Sequence, residues 1–214
     1  NVGGAQTPIV TAPAGTRIIK AALANTYLIG DSQVAPNYTK LTAAIADLNA
    51  YGASAAVIFE LQGDYSSSGE TFPLQINAFP GNSATNTLTI KPKTGVTATV
   101  SGSSASGIFV INGADYVTID GSNGSTVNTV CPTSAASRDL TITNTNTGTS
   151  SAVVWMQTTA GGDAATNNII RNCNIVGSSV TATPGTLIGI GIGGTTISAT
   201  SLGTANNNNI IVNN

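Results

Sequence analysis

The sequence predicts an all-β fold of the parallel β-helix type, a solenoid in which the strands of successive turns stack on one another. Charged residues make up only 7% of the 214-residue chain, and small or uncharged polar residues take their place, which suits exposed strands and tight turns better than helical bundles. Short β-branched runs recur at intervals typical of solenoid turns. A single segment has helical spacing, and it lies near the start, where a solenoid needs a cap.

The recurring unit is a short run with an isoleucine at its centre. Successive central isoleucines are 29, 23, 28 and 41 residues apart, and further strand-like runs lie between them at 97–100, 108–111, 152–157 and 187–192, so each turn should carry more than one strand. Because strand side chains alternate between two faces, we expect the isoleucines to point inward as one buried column. The runs span 88–92, 117–121, 140–144, 168–172 and 209–213, and their central residues are Ile90, Ile119, Ile142, Ile170 and Ile211.

The same alignment predicts outward columns. The residue after each isoleucine should face solvent, which gives a candidate binding face that consists of Lys91, Asp120, Thr143 and Arg171 and ends at Val212. The residue before it gives a second outward series, Thr89, Thr118, Thr141, Ile169 and Ile210. The asparagines that follow the face, Asn144, Asn172 and Asn213, should stack in one turn, where their amides can hydrogen-bond from turn to turn and fix the register.

The beginning of the chain has a different pattern. Residues 1–36 are rich in Pro, Ala, Gly and Thr and are predicted to be an entry segment, followed by a β-helix domain over 37–214. Apolar residues at helical spacing predict an amphipathic α-helix over 38–50, with Asn37 as N-cap and Gly52 as its end. The helix should lay its apolar face over the first turn as a cap. The repeat pattern continues to the last residue, which predicts truncation at the C-terminal end.

Composition excludes several classes of function. Seven basic residues against nine acidic ones give a net charge of −2, and the basic residues are scattered, so no footprint for nucleic acid is present. No apolar run approaches the roughly 20 residues that a membrane-spanning helix needs. The chain has no His, which excludes His-dependent catalysis and removes the commonest metal ligand. We therefore expect no cofactor, no metal site, no nucleic-acid partner and no membrane insertion.

The two cysteines leave their redox state open. Cys131 and Cys173 fit either a secreted protein with one disulfide or a protein with two buried thiols. Cys131 precedes its nearest central isoleucine, whereas Cys173 follows its own, so a bridge requires the loop at 122–137 to fold back along the coil.

Several segments resemble secreted bacterial right-handed parallel β-helix proteins of the pectate-lyase-like superfamily. Tyr-Leu-Ile-Gly at 27–30, the helical run at 37–49 and Val-Ile-Phe-Glu-Leu at 57–61 are similar to the capping start of these proteins. Gly-Ala-Asp-Tyr-Val-Thr-Ile-Asp-Gly at 113–121 and Asn-Asn-Ile-Ile-Arg-Asn-Cys-Asn-Ile at 167–175 are similar to their repeat coils. The resemblance implies a right-handed parallel β-helix with an N-terminal capping helix, a location outside the cell or on its surface, and a place in adhesin-type surface proteins.

The same superfamily includes pectate lyases and polygalacturonases, whose catalytic groups lie on the outer face of the strands. Their Asp-Asp, Gly-His-Asp and Arg-Ile-Lys motifs are absent from this sequence. Asp120 is the best-placed acid, but a pairing with Lys91 on the surface explains it without catalysis. Asp115 and Asp139 fit turn residues, and Arg138 and Arg171 fit solvated surface charges.

Trp155 has two interpretations that strand alternation leaves open. If Val154 and Met156 point inward, Trp155 faces outward and offers a platform for a sugar ring; if it points inward, it is a core residue. The sequence therefore favours a noncatalytic extracellular module for adhesion, surface display or glycan contact, with a polysaccharide or cell-surface glycan as partner and Trp155 added to the binding face. The alternative is a polysaccharide lyase or hydrolase with its site on the outer face. A more remote alternative is an ice-binding face formed by the threonine series.

Overall fold

The computed structural model describes residues 20–124, 137–148, 150–178, 186–198 and 200–214. These residues form one α-helix and thirteen strands, so the predicted all-β architecture with a single helix is confirmed for them. The elements are β1 (Leu23–Ile29), α1 (Leu41–Tyr51), β2 (Ala53–Leu61), β3 (Leu74–Asn77), β4 (Leu88–Pro92), β5 (Ala98–Gly102), β6 (Phe109–Asn112), β7 (Val117–Asp120), β8 (Leu140–Asn144), β9 (Ser150–Gln157), β10 (Ile169–Arg171), β11 (Cys173–Val176), β12 (Thr186–Gly193) and β13 (Ile210–Val212).

The strands form three sheets, and each pairing between them is parallel. The six-stranded sheet has the order β1-β2-β4-β7-β10-β13, the three-stranded sheet β5-β8-β11 and the four-stranded sheet β3-β6-β9-β12. From β4 onward the chain visits the six-, three- and four-stranded sheets in turn and then returns to the first, one strand further along. Each full turn therefore contributes one strand to each sheet.

The main core lies between the sheets, and the central isoleucines are divided between two of them. Ile90, Ile119, Ile170 and Ile211 are consecutive register partners in the six-stranded sheet. The first three are buried, whereas Ile211 on the edge strand β13 is 46% exposed. The expectation that Ile142 belongs to this column is wrong, because β8 pairs in the three-stranded sheet and sets Ile142 beside Val100 and Ile175.

Helix α1 begins at Leu41 and ends at Tyr51, close to the predicted bounds, and buries Leu41, Ala44, Ile45 and Leu48. The predicted N-cap is wrong: the Asn37 side chain instead accepts a hydrogen bond from the backbone N–H of Leu28 at 2.9 Å. The carboxylate of Glu70 accepts from the N–H groups of Leu41 at 2.7 Å and Thr42 at 2.8 Å. A distant acid thus satisfies the unpaired donors at the positive end of the helix.

The helix ends as predicted at Gly52, whose φ is 73° and whose N–H donates to the carbonyl of Leu48 at 2.8 Å. A side chain there would collide with the carbonyl of Pro80, and the positive φ also favours glycine. The helix contacts β1 and β3, which are edge strands of the six- and four-stranded sheets. It therefore lies over the end of the stack where the core would otherwise meet solvent.

Asparagine side chains connect successive turns. Asn168 accepts from the N–H of Val117 at 2.9 Å and donates to the carbonyl of Ala114 at 3.0 Å, and Asn209 repeats this role one turn later by accepting from the N–H of Asn168. Asn213 donates to Asn172 at 2.8 Å.

The predicted stacking of Asn144 with Asn172 and Asn213 is wrong, because Asn144 ends a strand of a different sheet. There its amide bonds the backbone of Ser104 and Ala152.

Replacement of Ile142 by Asp should unfold the protein or reduce its free energy of unfolding by more than about 4 kcal/mol, because it places an unpaired charge in the core. Thr141→Asp is the matched control, since Thr141 is the half-buried neighbour on the same strand. Urea denaturation of both variants is the measurement. An Ile142→Asp transition as stable as that of the control would contradict the inward position of Ile142.

Candidate functional site

Only some residues of the predicted binding face lie together on the six-stranded sheet. Lys91 is the register partner of Glu60, and Arg171 is the register partner of Asp120, so residues of opposite charge are neighbours on adjacent strands. Thr143 is not part of this face, because it lies on β8 and pairs with Ser101 and Val176. Thr141 leaves the threonine series for the same reason, so the remaining Thr89 and Thr118 are followed by Ile169.

Asp120 and Arg171 form a buried ion pair and are therefore not an open binding surface. Arg171 Nε lies 2.8 Å from Asp120 Oδ2, and both residues are buried. Asp120 Oδ1 accepts from the N–H of Ser122 at 3.0 Å, the Ser122 hydroxyl at 2.8 Å and Asn172 Nδ2 at 2.9 Å. Burial alone would raise the pKa of this carboxyl, but the hydrogen bonds from Asn172 and Ser122 and the charge of Arg171 hold the pKa below its ordinary value. The pair is structural.

Cys173 lies beside this pair as a buried thiol. Its sulfur donates to the carbonyl of Arg171 at 3.1 Å, and burial together with the charge of Asp120 raises the pKa of the thiol to about 12. Such a thiol is a poor nucleophile at neutral pH because very little of it is thiolate. Cys131, its partner in the predicted disulfide, lies outside the described residues.

Trp155 points away from the main core but is not an exposed platform. Val154 and Met156 belong to the main core, whereas Trp155 packs with Val110 and Ala152 in a second cluster and is only 4% exposed. The sugar-platform interpretation is therefore wrong, because Ile188 of β12 and Ile197 beyond it also pack against this cluster.

The Trp155 ring explains two of the glycines of β12. A Cβ at Gly191 would collide with the ring, and one at Gly193 would lie 2.7 Å from its Cζ2. The indole Nε1 donates to the carbonyl of Gly194 at 3.1 Å. Gly191 and Gly193 of β12 therefore make room for the single Trp of the chain.

The four-stranded sheet carries a row of amide side chains that we call the amide track, made up of Gln75, Asn77, Asn112 and Gln157. Asn77, Asn112 and Gln157 are register partners on three successive strands. Asn112 Nδ2 donates to Asn77 Oδ1 at 2.8 Å, and Gln157 Nε2 donates to Asn112 Oδ1 at 2.7 Å. Gln75 Nε2 donates to Asn77 Oδ1 at 2.8 Å.

The amide track is held rigidly and still reaches solvent. Asn49 of α1 accepts from the N–H of Asn77 at 3.0 Å and donates to the carbonyl of Gln75 at 2.8 Å, which fixes one end of the track. Gln75 is exposed, and the other three members are half-buried. A primary amide has two N–H donors and two acceptor positions, so Asn112 keeps one N–H and one lone pair beyond its bonds within the track. The track can therefore bind hydroxyl groups without any charge.

The sequence patterns alone do not reveal the amide track. Its signal is an amide that directly follows an inward apolar residue at the end of a strand, as in Ile76-Asn77, Ile111-Asn112 and Met156-Gln157. The signal is short, and only the strand register brings these three pairs together.

Two of the remaining candidates, Asp115 and Arg138, are engaged in contacts between turns, whereas the buried Oδ2 of Asp139 has no hydrogen-bond partner among the described residues. Asp115 Oδ1 accepts from the N–H of Thr166 at 2.7 Å and from its hydroxyl at 2.6 Å. Arg138 donates to Asn213 Oδ1 at 2.8 Å. Within the part of the chain that the structure describes, no three acidic, Cys or His side chains form a group that could hold a metal ion.

The described residues include no helix long and apolar enough to cross a membrane.

Comparisons with known proteins find no matching family model, no matching curated protein and no matching solved structure. The function is therefore inferred from the side chains of the site itself.

Replacement of Asp120 by Asn should lower the free energy of unfolding at neutral pH by roughly 3–5 kcal/mol, as expected when one partner of a buried ion pair is removed. Because the folded-state pKa of Asp120 is lowered, its contribution is present above the unfolded pKa of about 3.9 and is lost as pH falls through the lower folded value. The difference between wild type and variant should therefore shrink at pH values below about 4.

Urea denaturation of both proteins between pH 3 and pH 7 measures this difference, with Asp163→Asn, at an exposed carboxylate, as the control. A difference that stays constant down to the lowest pH would contradict the assignment of the ion pair.

Proposed function

We propose that this chain is an extracellular, noncatalytic right-handed parallel β-helix module that contacts a neutral polysaccharide or cell-surface glycan through the amide track and serves in adhesion or surface display. The β-helix part of the proposal is supported by the parallel pairing and by the return of the chain to each sheet one strand further along. A right-handed coil agrees with the general preference for right-handed crossovers between parallel strands. Secretion and surface location are suggested by the family resemblance of the coil segments.

The observation that carries the binding proposal is the amide track. Neighbouring strands are about 4.8 Å apart, so Asn77, Asn112 and Gln157 present donors and acceptors at a regular spacing along the stack. Their hydrogen bonds to one another hold the side chains in place before a ligand arrives, which reduces the entropy that binding would cost. A polymer with regularly placed hydroxyl groups is the ligand that such a row fits.

The strength of binding should depend on polymer length. A single hydrogen bond contributes about 0.5–1.5 kcal/mol net, so one sugar on one amide binds weakly. Repeated contacts along the track raise the overall affinity, because each contact brings the next hydroxyl close to its partner. Long chains should therefore bind more tightly than single sugars.

A noncatalytic role agrees with the contacts of Asp120 and Asp115. Glycoside hydrolysis needs two carboxyl groups across the scissile bond, one of them free to donate a proton. Asp120 is instead engaged with Arg171, Ser122 and Asn172, and Asp115 with Thr166. Appearance of unsaturated products or reducing ends from pectin, alginate or a neutral glycan, lost in Asp120→Asn, would overturn the noncatalytic part of the proposal.

Replacement of Asn112 by Asp should weaken binding to long neutral glycans at least tenfold. The change keeps the size of the side chain but removes the N–H that donates to Asn77 and adds a charge in the middle of the track. Asn174→Asp is the matched control, because Asn174 is an amide on β11 of the three-stranded sheet, away from the track. Affinity gel electrophoresis with a panel of soluble glucans, mannans and xylans measures the change, after thermal melting shows that both variants are folded. Equal retardation of wild type and Asn112→Asp would exclude the track as the binding site.

A further inference from the structure

An open depression lies at the carboxyl ends of β9 and β12, next to the end of the amide track. It has a volume of about 530 Å³ and lies between the turn that follows β9 and the segment that follows β12. Gln157, the last member of the track, directly precedes Thr158 in its lining. Hydroxyl groups are abundant in the lining, from Thr158, Thr159, Thr195, Thr200, Ser201 and Thr204.

The chemistry of the depression restricts its ligand. None of the described residues that line it is charged, so an ionised ligand would lose hydration without gaining a counter-ion. Leu202 stands at the depression with 75% of its surface exposed, which makes it one of the two most exposed large apolar side chains in the described residues. An apolar surface next to many hydroxyls suits a ring with an apolar C–H face and a hydroxylated edge, which describes a neutral sugar.

The walls of the depression are fixed to the sheet. The Thr158 hydroxyl donates to the carbonyl of Thr204 at 2.8 Å and accepts from its N–H at 3.0 Å. Gly194 donates its N–H to the carbonyl of Ser201 at 2.8 Å, and the carbonyl of Gly194 accepts from Trp155 Nε1 at 3.1 Å. The hydrogen bond from Trp155 therefore fixes the position of the wall that contains Gly194.

We propose that this depression is a terminal subsite for a neutral sugar ring, at the end of a polysaccharide chain that lies along the amide track. The proposal rests on the proposed glycan-binding function and adds the class of sugar and the place where the chain end sits. The Thr and Ser hydroxyls bind the edge of the ring, and Leu202 packs against its apolar face. A uronic acid is excluded from the subsite because none of the described residues that line it carries a positive charge.

The single Trp of the chain makes the proposal directly measurable. Because Trp155 bonds to the wall at Gly194, occupation of the depression should change its fluorescence. We expect a saturable change when the full chain is titrated with neutral oligosaccharides of two to six glucose, mannose or xylose units, and no change with oligogalacturonides of the same length. Isothermal titration calorimetry on the same samples gives the affinity.

Two variants separate the subsite from the track. Leu202→Asp should weaken binding of the short neutral oligosaccharides at least tenfold and abolish the Trp155 response, while long polymers still bind through the track. Val34→Asp is the matched control, since Val34 is equally exposed but does not line the depression. Asn112→Asp should weaken polymer binding and leave the fluorescence response to short oligosaccharides in place.

The outcomes distinguish the two proposals. If polymers bind but no neutral oligosaccharide changes the Trp155 fluorescence, or if Leu202→Asp responds like the control, the subsite is wrong and the amide-track function stands. Preferential binding of oligogalacturonides would also overturn the subsite. If neither polymers nor oligosaccharides bind, the proposed function fails together with the subsite.

Discussion

The structure depends on the parallel hydrogen-bond register between successive turns. Strand side chains alternate with a period of two, so a slip by one residue would turn each inward isoleucine of a strand toward solvent. Asn168 and Asn209 counteract such a slip, because their amides bond the backbone of the preceding turn at defined positions. The ion pair between Asp120 and Arg171 adds a second constraint, since a slip would leave both charges buried without each other.

The same register explains which parts of the molecule are covered. A stack of parallel turns leaves its inner side chains open at each end unless another element packs there. Helix α1 performs this role beside β1 and β3, and the Glu70 carboxylate ties its first turn to a later loop. At the opposite end, on β12 and β13, Ile192 and Ile211 are 41% and 46% exposed. The inward isoleucines of the six-stranded sheet therefore change from fully buried at Ile170 to about half exposed at Ile211, one turn later.

The sequence predicted the helix, most of the strands and their parallel stacking, because these depend on local periodicity. It predicted only some of the strand neighbours: β4 with β7 and β10 with β13 are correct, whereas the placement of β8 between β7 and β10 is wrong. Each side of a turn needs the same inward apolar residue, so the run at 140–144 looks like the run at 117–121 although β8 belongs to another sheet. Because β8 was assigned to the wrong sheet, Thr143 and Asn144 were placed in columns to which they do not belong. The Glu70 cap was invisible for a related reason, since the carboxylate lies far along the chain from the helix it caps.

The second feature that could not be predicted from the sequence is the burial of outward residues. Alternation correctly sets Asp120 and Arg171 off the main inward rows, but it leaves the direction of Trp155 open and says nothing about what lies above the outer face. The side chains there depend on long-range contacts such as Trp155 with Gly194 and Asp120 with Asn172. The amide track was missed because its members are far apart in the chain. Once the register is known, three short apolar-amide pairs become one continuous surface, and the proposed function follows from that surface.

Cysteine cross-linking tests the register most directly. In a Cys131→Ser, Cys173→Ser background, the pair Thr118→Cys and Ile169→Cys lies on neighbouring parallel strands, about 4.8 Å apart and so within the Cα range that a disulfide requires. The pair Thr118→Cys and Thr141→Cys represents the neighbours that the simple sequence alignment predicts, and the structure separates them into different sheets. Under mild oxidation the first pair should form an intramolecular disulfide in the folded protein and the second should not. A disulfide in the second pair, with none in the first, would contradict the register on which the core, the amide track and the proposed function depend.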